Sequence, residues 1–340
     1  MARETIEGSQ AAAVSRVLDW VERNTHRASL AVIGHRIVHG GPNFRNPEPI
    51  GPALVETLTQ LIPFAPNHLP DELALIESFR RWQPAVPQIA CFDTAFHADL
   101  PDVARRLPIP QAYDGEGVRR YGFHGLSFAF VTEELRRLAG PEVAAGRLVL
   151  AHLGNGSSLA AVHRGHSIDT TMAFTPIGGV IMGTRSGDLD PGVVTYIARR
   201  ERMTPDQVED LLSHRSGLLG ISNASSDMRA LLDRESSDPA CRLAVAMYVY
   251  SVKRAVGSLA AALGGLDTIL FCGGIGEHAQ TIRSRICEGL GFLGVQLDPD
   301  RNAANAKIIS SPDARATVWV IPTDEERVIA RAAHELFGAR

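Results

Sequence analysis

Short apolar runs that end at a glycine or a charged residue alternate with amphipathic segments along this chain of 340 residues. A short apolar run followed by an amphipathic segment is typical of a strand followed by a helix, so the alternation predicts an α/β protein. A chain of this length exceeds one ordinary hydrophobic core, which predicts two domains. The strand-like runs are residues 30–34, 88–92, 147–153, 159–162, 268–272 and 318–322.

Two glycine-rich segments follow strand-like runs. Gly154-Asn-Gly-Ser-Ser158 stands between the runs at 147–153 and 159–162 and leaves no room for a helix. This order predicts a hairpin whose loop can present backbone amides to a phosphate. The segment 273–277 follows the run at 268–272 and precedes a helical pattern that extends to Leu290. A strand, a glycine turn and a helix start are common at nucleotide sites, although this signal is weak alone.

Several helices can be located from their ends or their composition. Thr204 and Thr323 each precede a glutamine or glutamate by three residues, the spacing of a capping box, and each is predicted to start a helix. Residues 243–263 form the longest apolar segment, but they include charged residues at 253 and 254, so we interpret them as a core helix. Residues 1–24 are interpreted as a polar start followed by one helix.

Composition restricts the classes of function. The net charge of −4 argues against a nucleic-acid surface. The N-terminus has no apolar signal region, so we expect a cytoplasmic protein with no membrane partner. The only lysines are Lys253 and Lys307, so no glycine-rich loop carries the lysine of a Walker-type phosphate loop. None of the cysteines forms a C-x-x-C pair, and all are predicted to be buried thiols rather than zinc ligands or disulfides: Cys91, Cys241, Cys272 and Cys287.

Two arginines lie in segments bounded by glycines. Arg36 is within 34–41, and Arg185 lies between Gly183 and Gly187. A guanidinium matches carboxylate and phosphate oxygens, and glycines allow backbone amides to approach a ligand closely. The two segments together predict a site that holds an anion from two sides, with arginines that pack little against the fold. The alternative is a pair of tight turns with solvated arginines.

An ordered series of segments resembles the motifs of the acetate kinase family, within the superfamily of acetate and sugar kinases, Hsp70 and actin. The segments are 34–41, 92–97, 119–125, 152–156, 183–191, 216–222, 225–229, 273–277 and 321–326. The resemblance implies a two-domain actin-like ATPase (ribonuclease H-like) fold and a homodimer formed through the second domain. It also implies reversible, ATP-dependent phosphorylation of acetate or another short carboxylate, with Mg²⁺ or, as the alternative, Mn²⁺.

The resemblance also assigns roles to residues. It implies that the carboxylate substrate contacts Arg36, Val38, Phe123 and Pro176, that His124, Arg185 and Asp93 act in catalysis, and that Glu325 joins Asp93 at the metal. The nucleotide-binding positions that it implies are His152, Leu153, Gly154, Asn155, Gly156, Asp227, Met228, Arg229, Gly273, Gly274, Ile275, Gly276 and Glu277.

Each of the main assignments has a structural alternative. His124 can be a packed or capping histidine, and Asp93 can be a simple turn acid after a strand. Glu325 lies in the first turn of a predicted helix, where any acid is favoured by the helix dipole. Asp227 and Arg229 can be a helix N-terminus with an ordinary surface pair.

One departure from the family concerns the start of the chain. Family members open with a strand leading to an Asn-x-Gly-Ser-Ser-Ser loop, and no such segment is found here. We therefore expect a truncated first domain, 1–95 plus 326–340, and a second domain at 96–325. We also expect a poor or inactive catalyst, which arises from a mis-assigned start or a truncated gene. The alternatives are a propionate or other short-chain acyl kinase, a member that binds nucleotide without turnover, and an actin- or chaperone-like ATPase.

Overall fold

A computed structural model describes residues 10–24 and 30–338, and the side chains from Arg16 onward within the first helix. Its strands are β1 Ile33–Ile37, β2 Glu48–Pro49, β3 Gln88–Phe92, β4 Arg147–Leu153, β5 Ser157–His163, β6 His166–Thr170, β7 Thr268–Cys272 and β8 Thr317–Val320. Its helices are α1 Gln10–Asn24, α2 Pro52–Gln60, α3 Leu69–Trp82, α4 Asp102–Arg105, α5 Gln111–Gly115, α6 Gly125–Ala139, α7 Pro141–Ala144, α8 Pro191–Glu201, α9 Pro205–His214, α10 Gly217–Ser222, α11 Met228–Arg234, α12 Pro239–Ala262, α13 Gly273–His278, α14 Gln280–Cys287, α15 Pro299–Ala303 and α16 Glu325–Phe337.

The chain divides into two compact units. The first comprises Met1–Ala95 with Glu325–Arg340, and the second comprises Phe96–Asp324. Each unit has its own sheet, and helices are mixed with strands in both, so the molecule is an α/β protein. Within the described parts of the chain, no helix is long and apolar enough to cross a membrane.

The first unit is built on a three-stranded sheet in the order β1-β3-β2. β1 runs parallel to β3, and β2 runs antiparallel to it. Helix α16 packs on β1 because Gly34 has no side chain, and Ile329 fills the space where a Cβ would lie. The core of this unit includes Ile37, Leu58, Leu69 and Phe92, all fully buried or nearly so.

The predicted strand at 30–34 is displaced in the structure. β1 begins at Ile33 and continues to Ile37, because its ladder with β3 runs as far as the pairing of Ile37 with Phe92. Arg36 therefore lies within a strand and not in a glycine loop. The predicted strands at 88–92, 147–153 and 268–272 are confirmed at those bounds.

The second unit is built on a five-stranded sheet in the order β6-β5-β4-β7-β8. β4, β7 and β8 are parallel, while β4, β5 and β6 form an antiparallel meander. The predicted hairpin is confirmed, since β4 and β5 pair from Arg147 opposite His163 to Leu153 opposite Ser157. The long helix α12 covers this sheet and buries Tyr248, Val252 and Val256, as the apolar run at 243–263 predicts.

The helix starts agree with the sequence in part. The capping box at Thr204 is present in full. The prediction of a capping box at Thr323 is wrong. Helix α16 begins at Glu325, and the Thr323 hydroxyl has no hydrogen-bond partner among the residues described. The helical pattern after 277 is interrupted at Ala279, which separates α13 from α14. All four cysteines are buried and free, as predicted.

Candidate active site

Arg36 is the centre of a charged group in the first unit, which we call the Arg36 cluster: Arg36, Glu72, Asp93 and Glu325. Arg36 and Asp93 lie at the carboxyl ends of β1 and β3, which meet at one edge because the strands are parallel. Arg36 Nε lies 3.1 Å from both Asp93 oxygens, and Nη2 lies 2.5 Å from Oδ2. Asp93 is 1% exposed and Arg36 is 40% exposed, so the arginine compensates a buried carboxylate.

Glu325 and Glu72 complete this cluster from two helices. Glu325, in the first turn of α16, lies 3.3 Å from Arg36 Nη1. Glu72, in the first turn of α3, accepts the backbone N–H of Val38 at 3.1 and 3.2 Å. Sequence reasoning missed Glu72, because an acid in the first turn of a helix has an ordinary explanation in the helix dipole.

Burial, more than the close packing of like charges, raises the pKa of two acids of the cluster. Burial, with a smaller effect of the Asp93 charge, raises the pKa of Glu72 to about 7, although the Val38 N–H and Arg36 act in the opposite direction. Burial also raises the pKa of Glu325, against the attraction of Arg36. Burial tends to lower the pKa of Arg36, but Asp93 and the other acids outweigh it and raise that pKa above its ordinary value.

The carboxylates of this cluster are suited to a hard cation. Asp93 and Glu325 offer only oxygen, and burial together with the smaller effect of the Asp93 charge raises the pKa of Glu325, a shift that a bound cation would oppose. Among residues 10–24 and 30–338, no group of three or more His, Cys, Asp or Glu side chains could hold a metal. Mg²⁺ commonly uses one or two carboxylates and completes its shell with water and phosphate oxygens, so two carboxylates fit it.

In the second unit, the loop between β4 and β5, together with the first two residues of β5, forms the glycine hairpin, residues 154–158. Gly154 N–H donates to the Gly156 carbonyl at 3.0 Å and closes the turn. The Asn155 carbonyl accepts the N–H of Gly183 at 3.0 Å, and the Asn155 side chain fills the space beside Gly183 where a Cβ would lie. The loop that carries Arg185 is therefore attached to the hairpin, and glycine at 183 permits the contact.

His124 and Arg185 converge on this hairpin. A Cβ built on Gly156 would lie 3.2 Å from His124 Nε2 and 3.6 Å from Arg185 Nη1, so both donors face the bare backbone of this glycine. Arg185 Nη1 also donates to the Pro176 carbonyl at 3.3 Å. His124 stands before α6 with a left-handed φ of 57°, a conformation that is uncommon outside glycine and often found at functional sites.

The imidazole of His124 is stacked on that of His152. The ring centroids are 4.2 Å apart with an interplanar angle of 17°. His124 Nδ1 lies 2.8 Å from Ser158 Oγ, and His152 Nδ1 lies 2.8 Å from Ser127 Oγ. The structural alternative of a packed histidine is thus partly true of His124, which is 9% exposed, while its Nε2 still faces Gly156.

The second glycine turn lies beside the hairpin. Gly273 has a φ of 75°, and a Cβ there would lie 2.8 Å from the Leu153 carbonyl oxygen, so only glycine fits. Glu277 accepts the N–H of Gly273 at 2.9 Å and that of Thr323 at 3.2 Å, so its carboxylate has a structural function. The fully buried Arg283 donates to the carbonyls of Gly276 and Glu277, at 2.9 Å each, and fixes the end of α13.

Other assigned residues have clear structural functions as well. Asp227 is the N-cap of α11 and accepts the N–H of Arg229 at 2.9 Å, which agrees with the structural alternative. Leu153 and Met228 lie in the core and are 0% and 3% exposed, so neither side chain is accessible to a ligand. Phe123 is 1% exposed, and its carbonyl bonds His97 Nε2 at 3.1 Å. Gly274 and Ile275 lie in α13. Gly274 is close to the hairpin, since a Cβ built on Gly154 would lie 3.9 Å from Gly274 N.

Comparison with known proteins gives one consistent result. The model of the acetokinase family matches residues 2–331. An acetate kinase of Rhodopseudomonas palustris is 49% identical over 321 residues, which cover 94% of this chain and 80% of that protein. The crystal structure of Porphyromonas gingivalis acetate kinase has a TM-score of 0.88 and 35% identity, with 98% of this chain and 86% of that chain covered. A propionate kinase from Francisella tularensis has a TM-score of 0.91 and 34% identity over the same shares.

These comparisons bear on the expectation of a missing leading segment. The family model begins to match at residue 2 and covers nearly the whole chain. That match does not support the expected loss of an N-terminal segment. The mixed α/β content and the two sheets are consistent with an actin-like ATPase fold, as the resemblance implies.

Proposed function

We propose that this chain, which belongs to the acetokinase family and is a phosphotransferase, transfers the γ-phosphoryl group of ATP reversibly to acetate. The products are acetyl phosphate and ADP. The observation that carries this proposal is the convergence of His124 Nε2 and Arg185 Nη1 on the bare backbone of Gly156. Phosphoryl transfer depends on positioning and charge neutralisation, and these are the donors that such a reaction needs.

In the first unit, Arg36 is proposed to bind the carboxylate of the substrate. Its guanidinium is held by Asp93 and Glu325, and its side chain is 40% exposed, so the arginine is both oriented and accessible. Asp93 and Glu325 are proposed to hold Mg²⁺, with Mn²⁺ as a substitute. The cation, when bound, neutralises charge on the phosphate oxygens.

In the second unit, His124 and Arg185 are proposed to donate to the equatorial oxygens of the transferred phosphoryl. The backbone of residues 152–156 is proposed to bind the phosphates of the nucleotide. The segments 227–229 and 273–277 are proposed to bind its adenosine, through exposed backbone and the Arg229 side chain. The two-domain assignment of the family, with nucleotide binding in the second domain, is part of this proposal.

Acetate is proposed as the preferred acid, in line with the acetate kinases among the relatives of this chain. A propionate kinase is the second candidate, since the solved propionate kinase from Francisella tularensis has the same fold at 34% identity. Acyl phosphate formation from acetate, propionate and butyrate, trapped with hydroxylamine, distinguishes the two. Nucleotide binding without acyl phosphate from any of these acids would overturn both.

A homodimer through the second unit is also proposed. Helix α12 exposes Leu243, Met247 and Tyr250, which lie on one face at a spacing of one helical turn. Helix α8 separately exposes Val193 and Tyr196, which are 43% and 60% exposed. Apolar side chains grouped in this way on a surface are typical of a protein interface. Light scattering at several concentrations measures the mass, and a Tyr250→Glu variant is expected to shift it toward the monomer.

A further inference from the structure

We propose that Ser127 and Ser158 are positioning residues that hold the stacked His152 and His124 in the tautomer with the proton on Nε2. This inference concerns the same site as the proposed function and rests on it for the catalytic consequence. The four side chains are called the histidine–serine cluster: His124, Ser127, His152 and Ser158.

The cluster joins two elements by reciprocal hydrogen bonds. His124 and Ser127 belong to the start of α6, while His152 and Ser158 face each other as a pair on β4 and β5. Each histidine bonds the serine of the other element through Nδ1, at 2.8 Å in both cases. Both serines are fully buried, so these bonds are shielded from water and hold their geometry.

The other ring nitrogens face the glycine hairpin. A Cβ on Gly156 would lie 3.2 Å from His124 Nε2, and a Cβ on Gly154 would lie 3.8 Å from His152 Nε2. Nδ1 of each ring is held by a serine. Whether Nε2 carries a proton therefore decides if the ring offers a donor or an acceptor at the hairpin. A phosphate oxygen needs a donor, and a neutral imidazole supplies one at Nε2 only if Nδ1 is an acceptor.

The surroundings favour neutral rings with Nδ1 as acceptor. Two stacked imidazoliums with centroids 4.2 Å apart would repel each other, and the cation of Arg185 faces Gly156 beside His124. Cys272 Sγ lies 3.7 Å from Ser127 Oγ, so the thiol can donate to the hydroxyl while the hydroxyl donates to His152. The thiol then completes a chain of donors that ends at His152 Nδ1.

His97 shows the same arrangement, and the position of its proton is fixed by its neighbours. His97 Nδ1 lies 2.8 Å from Ser167 Oγ, and its Nε2 lies 3.1 Å from the Phe123 carbonyl. A carbonyl oxygen only accepts, so His97 Nε2 carries the proton and Ser167 donates to Nδ1. The histidine–serine cluster repeats this arrangement, with the hairpin in place of the carbonyl.

The test measures tautomers and kinetics separately. Long-range ¹H–¹⁵N correlation spectra of the ¹⁵N-histidine protein, assigned with His124→Gln and His152→Gln, report which nitrogen carries the proton at neutral pH. The parent is expected to show Nε2–H for both rings. Ser158→Ala and Ser127→Ala are expected to change the tautomer of His124 and His152 respectively and to lower kcat about 10–100-fold, as loss of partners behind ligating histidines does.

The control is Ser213→Ala, which deletes a hydroxyl that is 4% exposed and has no hydrogen-bond partner within the described part of the chain. It is expected to leave tautomers and kcat unchanged. Protonation of either parent ring at Nδ1 would overturn the proposal even if the alanine variants failed to fold. Unchanged tautomers and kcat in both folded alanine variants would overturn it as well. A parent that makes no acyl phosphate contradicts the proposed function instead, while the spectra still test the tautomers.

Discussion

At the scale of single residues, the two arginines differ more than their glycine-bounded segments suggest. Arg36 compensates the buried Asp93, so the expectation that it packs little is wrong. Loss of one partner of a buried ion pair costs about 3–5 kcal/mol, and the 40% exposure of Arg36 reduces this to about 1–3 kcal/mol. We predict that Arg36→Ala lowers both turnover and the melting temperature.

Arg185→Ala provides the contrast. Its contact with the Pro176 carbonyl is one bond to a loop, and its position at Gly156 is suited to charge that develops during transfer. Removing one such donor costs about 10²–10³ in kcat. We predict this loss of kcat for Arg185→Ala, together with a melting temperature close to the parent's. Steady-state kinetics and thermal unfolding measure the two quantities. Turnover within a few-fold of the parent would contradict the catalytic assignment.

Glu72 makes the stability of the fold depend on pH. Its pKa is about 7 in the folded protein against 4.5 as a model group, so the folded state binds more protons between these values. The contribution of Glu72 to the free energy of unfolding therefore falls by about 3 kcal/mol as the pH rises through this window, and is constant above it. Below pH 4.5 this contribution is fully present.

We predict that Glu72→Gln reduces this fall without abolishing it. The amide oxygen can still accept the Val38 N–H while no charge is buried at position 72, and the raised pKa of Glu325 still contributes. Urea unfolding on both sides of the window measures it. Glu77→Gln on the exposed side of the same helix is the control, and it should keep the parental pH dependence. A fall of equal size in the Glu72→Gln protein would show that another group causes it.

At the scale of elements, the glycine hairpin brings the donors together. An alanine Cβ at 156 would lie 3.2 Å from His124 Nε2 and 3.6 Å from Arg185 Nη1, and would occupy the space that we assign to phosphate oxygens. We predict that Gly156→Ala lowers kcat/KM for ATP at least about tenfold, the equivalent of about 1.4 kcal/mol. Gly257→Ala in α12, where nothing lies within 4 Å of the new Cβ, is the control and should leave kcat/KM unchanged.

The hairpin was predictable because its strands and loop are contiguous, and the same is true of the capping box at Thr204. The bounds of β1 were not, since they depend on pairing with β3, which lies far along the chain. Glu72 and Ser127 were missed for the same reason: they bond partners 34 and 25 residues away, and such contacts leave no local pattern.

At the scale of the whole molecule, the assigned residues are divided between the two units. Arg36, Asp93 and Glu325 belong to the first unit, and His124 and Arg185 belong to the second. The family match over residues 2–331 agrees with the motifs in both units. The expectation of a poor catalyst depended on a missing segment that this match does not support, so we now predict an active enzyme.

The most direct test of this account is acyl phosphate formation by the purified chain with ATP, Mg²⁺ and acetate, measured as the hydroxamate beside Arg185→Ala. We predict turnover in the range usual for enzymes, about 1–10³ s⁻¹, and its loss by at least about 10²-fold in the variant. Nucleotide binding by a folded parent that yields no acyl phosphate from acetate, propionate or butyrate would contradict the account.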